Sequence, residues 1–120
     1  MSILNLTQHV ASKEQVAAGV IEPDDKKAVQ DLLTFVDLPT VPDIVRRARN
    51  LAGIAKSAGV ESAMIGGAGW LLGPLERALQ AAGIWPLHSF TRREAVEEQQ
   101  PDGSVKKIQT FRHVGFVRAV

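Results

Sequence analysis

The sequence predicts an α/β fold: a mostly parallel sheet flanked by helices, closed at the C-terminal end by an antiparallel β-hairpin. Three observations predict it. Short apolar runs at Ile3–Thr7 and Val60–Ile65 are separated by stretches whose apolar residues recur at helical spacing. The second run breaks at Gly66-Gly67-Ala68-Gly69-Trp70 and opens into another helical stretch, the local geometry α/β proteins use to hold anions. Near the end, Gln100-Pro101-Asp102-Gly103-Ser104 stands between two strand-like segments, with Pro and Asp suited to a type I turn and Gly to the left-handed residue that follows it.

In order, Ile3–Thr7 alternates apolar and polar residues and reads as a strand. Ser12 followed by Gln15 has the pattern of a capping box, so a helix starts there, and Gly19 stops it. Pro23 with Asp24 and Asp25 opens a helix expected over Asp24–Phe35, with Ala28, Leu32, Leu33 and Phe35 as its stripe. Asp37–Thr40 connects to a third helix, Asp43–Ala58. It turns Ile44, Val45, Ala48, Leu51, Ala52 and Ala55 inward and Arg46, Arg47, Arg49 and Lys56 mostly outward. Gly59 ends it, and Val60–Ile65 follows as a strand whose last residues are wholly apolar, as in the middle of a parallel sheet.

After the glycine turn a helix is expected over Leu71–Ala82, closed by Gly83. Ile84–Phe90 is a further apolar segment, in which Pro86 predicts an edge position or a place before the strand proper. In the hairpin, setting Gln100 opposite Ser104 pairs Glu98 with Lys106, Glu97 with Lys107 and Val96 with Ile108. The opposite charges support that register. The tip is polar on both faces and should project from the core as an arm of residues 91–112. Leu87, Phe90, Phe111, Val114, Phe116 and Val117 are expected where the hairpin rejoins the sheet.

The 120 residues fit one domain, and 45% hydrophobic with 22% charged residues is ordinary for a globular protein. No apolar run approaches the ~20 residues that span a bilayer, and no membrane partner is expected. Zero Cys and an N-terminus without a basic flank favour an intracellular, cytoplasmic setting. The charge is nearly balanced, 14 Lys plus Arg against 13 Asp plus Glu, which argues against general DNA binding. Arginines nevertheless cluster at Arg46, Arg47 and Arg49 and again at Arg92, Arg93, Arg112 and Arg118, so a local basic surface for a phosphorylated ligand is allowed.

In open α/β sheets ligands lie beyond the carboxyl ends of the strands. The first such end offers Thr7, Gln8 and His9; the second offers Gly66, Gly67, Ala68, Gly69 and Trp70. Glycines let the backbone approach phosphate oxygens, and Trp70 can stack on a base. The same turn in a purely structural role would put Trp70 in the core. The glycines match neither a dinucleotide fingerprint nor a P-loop. His9 suits a proton carrier, and Arg92 and Arg112 are expected as further walls of the pocket. His9, His88 and His113 are scattered and lack acidic partners at ligand spacing, so neither metal nor cofactor is expected.

Leu4-Asn5-Leu6-Thr7-Gln8-His9, followed by Ser12-Lys13-Glu14-Gln15, resembles the start of small CRISPR-associated Rossmann-like families grouped with cyclic oligoadenylate sensors and ring nucleases. The chain as a whole is similar to small uncharacterised phage and bacterial proteins. The first resemblance implies a homodimer that binds a cyclic oligonucleotide across its two-fold axis and linearises it without metal, with His9 catalytic and Thr7, Gln8 and Gly66 to Trp70 lining the pocket. The competing expectation is a non-enzymatic interaction module that uses the hairpin Glu94–Ile108 to bind a protein partner.

Overall fold

A computed structural model describes residues 1–120. The elements are β1 (Ile3–Leu6), α1 (Lys13–Ala17), β2 (Val20–Ile21), α2 (Lys26–Leu33), α3 (Val41–Ser57), β3 (Ser62–Ile65), α4 (Gly69–Ala81), β4 (Trp85–Gln99) and β5 (Val105–Arg118). They form one sheet in the order β2-β1-β3-β4-β5, parallel throughout except for the antiparallel pair β4-β5. This is the α/β architecture expected from the sequence.

The sheet separates two unequal cores. Leu4, Leu6, Ala63 and Ile65 point to the face covered by α2, α3 and α4, where Val29, Leu33, Leu51, Leu71, Leu75 and Leu79 close a large apolar cluster. Ile3, Val20, Met64 and Leu87 point the other way and form a small cluster with Ala11 and Phe116 packed against it. All four residues of β1 are buried, Asn5 included, because β1 lies between β2 and β3 with helices on both sides.

Helix starts follow local chemistry. Ser12 and Gln15 make the expected capping box, Asp25 accepts from Ala28 N–H, and Thr40 accepts from Asp43 N–H. The second helix is shorter than Asp24–Phe35. Asp25 is its cap rather than its interior, and the chain leaves the helix at Thr34, whose backbone is extended. Val29, not Ala28, is its fully buried residue besides Leu33. The last helix begins at Gly69 instead of Leu71, so Trp70 stands in its first turn.

Pro86 does not precede the strand: it is within β4, paired with Ala63 of β3, one residue before the β5 ladder begins at Leu87. Its carbonyl accepts from Ala119 N–H, past the end of β5, so its missing donor faces the place where that strand has already stopped. The two-residue β2 had no signal strong enough to be read; it forms because Val20 and Ile21 pair with Ile3 and Leu4.

The hairpin keeps the expected register: Glu98 opposite Lys106, Glu97 opposite Lys107 and Val96 opposite Ile108. These lysines close no ion pair; the arm's one salt bridge is Arg112 to Glu94 at 3.5 Å. Counting outward from the turn holds as far as Thr91 and His113, then a bulge between Phe90 and Thr91 shifts the pairing by one, so that Phe90 faces Gly115 and Ser89 faces Phe116. The arm makes the molecule 57 Å long. Its radius of gyration is 16.9 Å, against about 14 Å for a compact chain of this length.

Leu75 is fully buried in the larger cluster. Leu75→Ala is expected to cost about 2–5 kcal/mol in urea unfolding, whereas truncation of Leu38, which is 94% exposed, leaves the unfolding midpoint where it is.

Candidate functional site

The connections leaving the two central parallel strands diverge. The chain leaving β1 enters α1 on the smaller-core face, and the chain leaving β3 enters α4 on the opposite face. Between them, beyond Leu6 and its register partner Ile65, lies a cleft of about 580 Å³. That is the position where open parallel sheets hold ligands. Thr7, Gln8 and His9 form one wall, and Gly66, Gly67, Ala68 and Trp70 form the other. Gly69 opens α4 just behind that lining.

The first wall is held from below by Asn5. Its Oδ1 accepts from Thr7 N–H at 3.0 Å and from Thr7 Oγ1 at 2.6 Å, while Nδ2 donates to the His9 carbonyl at 2.7 Å and to the Glu22 carboxylate at 3.0 Å. Glu22 also accepts from Ala11 N–H at 2.9 Å. Lys26 adds a second clamp: its Nζ donates to the carbonyls of Thr7 and His9 at 2.7 and 3.2 Å and lies 3.2 Å from Glu22. Partial burial pushes the Glu22 carboxyl up, but the bonds from Ala11, Asn5 and Lys26 outweigh it and hold the group below its ordinary value. The Gln8 amide completes the wall by donating to the Leu33 carbonyl at 3.2 Å. The His9 backbone is fixed through its carbonyl, and the residue itself is exposed at the rim.

The second wall depends on two glycines. Gly67 has φ of +135°, where a side chain is strained. A Cβ on Gly66 would stand 3.4 Å from the Thr7 methyl, so the two walls touch at the floor. No side chain caps α4; the Leu71 N–H bonds the Ala68 carbonyl at 3.0 Å, and the Gly69 and Trp70 N–H groups have no side-chain partner. Trp70 is 52% exposed and packs edge-on against Phe35, with ring centroids 5.4 Å apart. It therefore belongs to the cleft and not to the core.

Arg92 and Arg112 do not join the pocket. They face each other across β4 and β5 on the arm, beyond the bulge, and Arg112 turns to Glu94. The bulge shifts the strand registers, and the wall at this side is made by Ser89 and Thr91. Ser89 is a site residue that sequence reasoning missed. Its hydroxyl lies 2.6 Å from His113 Nδ1 and accepts from Gln15 Nε2 at 3.1 Å. The capping box fixes the Gln15 amide, because Gln15 Oε1 accepts from Ser12 N–H at 2.9 Å. Nε2 must then donate to the Ser89 oxygen, which joins Gln15 to the His113 ring. The capping box was visible in the sequence, but its reach to β4 was not. His88 is on the other face, 2.8 Å from Glu76.

The cleft lining carries no Lys or Arg. Lys26 is spent on the β1 loop. Arg47 is spent on α2: its guanidinium lies 4.2 Å from the Phe35 ring centroid, donates to the Thr34 carbonyl at 2.6 Å and pairs with Asp43 at 3.1 Å.

The model of the Uncharacterized protein MJ1673 family matches residues 1–117, and the chain belongs to that family. No curated protein and no solved structure matches it.

Asn5→Ala removes the shared partner of Thr7, His9 and Glu22. It is expected to cost on the order of 3 kcal/mol, since each buried polar group left unmet costs ~1–3 kcal/mol. The Thr7 amide should exchange with deuterium faster than in the native protein. Glu22 supplies a pH dependence. A carboxyl held below its unfolded value adds stability above that value and loses it as pH falls through the folded one. The melting temperature of Glu22→Gln should therefore fall short of the native value most at neutral pH, with the gap closing under acid.

Proposed function

We propose that the cleft binds a small phosphorylated nucleotide, with cyclic oligoadenylates as the ligand class. The observation that carries this reading is the placement of Thr7–His9 and the Gly66–Trp70 turn side by side at the point where the sheet's connections diverge. The α4 first turn supplies N–H donors for a phosphate, and the exposed face of Trp70 supplies a stacking surface for a base. The resemblance of Leu4–His9 and Ser12–Gln15 to ring-nuclease families supports the choice of ligand.

With no cation in the lining, phosphate is held by backbone N–H groups rather than by ion pairs. Affinity then depends only weakly on salt, unlike that of a Lys- or Arg-based site. A bound ring can be opened without metal. A ligand 2′-hydroxyl attacks the adjacent phosphorus in line, the bond to the 5′-oxygen breaks, and a 2′,3′-cyclic phosphate and a 5′-hydroxyl result. The 2′-hydroxyl loses a proton and the 5′-oxygen gains one; His9 at the rim is the proton carrier.

Calorimetric titration with cyclic tetra- and hexa-adenylate in EDTA tests the reading. Binding at micromolar protein is expected, little changed by raised salt. Trp70→Ala should weaken it by roughly 5- to 150-fold, the worth of one stacked base at ~1–3 kcal/mol. His9→Ala should slow the appearance of linear product while leaving binding in place. Neither heat nor linear product with either ring would end the proposal.

A further inference from the structure

The arm leaves the sheet on a free edge, and the direction of its main-chain groups follows from the hairpin. Gln100 N–H donates to the Ser104 carbonyl at 2.7 Å, so these two form a hydrogen-bonded pair. Bonded and non-bonded pairs alternate along an antiparallel ladder. In the observed register, Lys106, Ile108, Thr110 and Arg112 then bond to β4, and Lys107, Gln109 and Phe111 turn their N–H and C=O groups outward.

Proteins blunt such edges with proline, with charge or by keeping the strand short. β5 has 14 residues and no proline, and no charge lies between Ile108 and Phe111. Both faces of the arm also carry apolar side chains in water. Val96 and Ile108 stand on one face, Val105 and Phe111 on the other, with Phe111 67% exposed. A two-stranded ribbon with no further strand or helix against it is marginal in water.

We propose that β5 pairs with the same strand of a second copy, antiparallel about a two-fold axis at Phe111, so that the two arms form one four-stranded sheet. What favours a second copy is that the strand complements itself. With the axis at Phe111, Gln109 lies opposite the partner's His113 and Thr110 opposite the partner's Arg112, and the pairing ends at Val114, the extra residue of the β5 bulge. No Lys or Arg of Gln109–His113 faces another, and the two Phe111 rings meet on the axis. The pairing involves no cleft residue and stands or falls apart from the nucleotide reading.

Sedimentation equilibrium of the full chain tests it. A mass near twice 13.0 kDa is expected at micromolar concentration. Gln109→Pro removes an outward N–H without touching the bonds to β4, so it should give a monomer with an unchanged far-UV spectrum. Phe111→Glu sets two like charges at the axis and should do the same. A wild-type chain that stays at monomer mass up to high micromolar concentration would overturn the proposal. So would either variant retaining the dimer, or amides of Gln109, Phe111 and His113 that gain exchange protection only when an unrelated protein is added.

Discussion

A parallel strand buried on both faces ends with a requirement: the backbone groups freed where it turns into a loop must find new partners. In this protein Asn5 meets that need. One buried amide receives the Thr7 N–H and hydroxyl, bonds the His9 carbonyl and reaches the Glu22 carboxylate, and no buried side-chain nitrogen or oxygen is left without a partner. The loop after β1 is thereby held in one conformation. The close approach of Gly66 to Thr7, and with it the shape of the cleft, depends on that.

Much of this was legible and some of it was not, for identifiable reasons. Periodicity and turn chemistry located the long helices, the capping box at Ser12 and the hairpin register, because those are local properties. The role of Asn5 was hidden because its partners, Thr7, His9 and Glu22, lie in connections outside β1 whose path no local pattern records. Pro86 was misplaced because its tolerance depends on where β5 stops, which no local pattern records. Arg92 and Arg112 were assigned to the pocket, while the bulge at Phe90/Thr91 brings Ser89 and Thr91 there instead. Thr7, Gln8, His9, Gly66, Gly67, Ala68 and Trp70 were found because strand ends and glycine turns leave a sequence signal, and parallel pairing brings two such ends together.

The distribution of cations differs from what clusters of arginine suggest. Lys26 ties down the β1 loop, Arg47 spans Phe35 and the end of α2, and Arg118 covers the ring of Trp85 at 4.0 Å. Their charge is used in folding contacts with carbonyls, carboxylates and aromatic faces. The cleft is lined by apolar side chains together with polar groups, and by no Lys or Arg.

The two walls of the cleft come from segments nearly half the chain apart, joined by the parallel ladder of β1 and β3. The β4-β5 ribbon, by contrast, is built from neighbours in sequence. Closing a long loop costs entropy that local pairing avoids. The arm can therefore zip early during folding, while the cleft assembles only when the central strands meet. A partly folded chain would display the open β5 edge before the cleft existed, so completion of the parallel ladder closes the window in which unpaired strands invite aggregation.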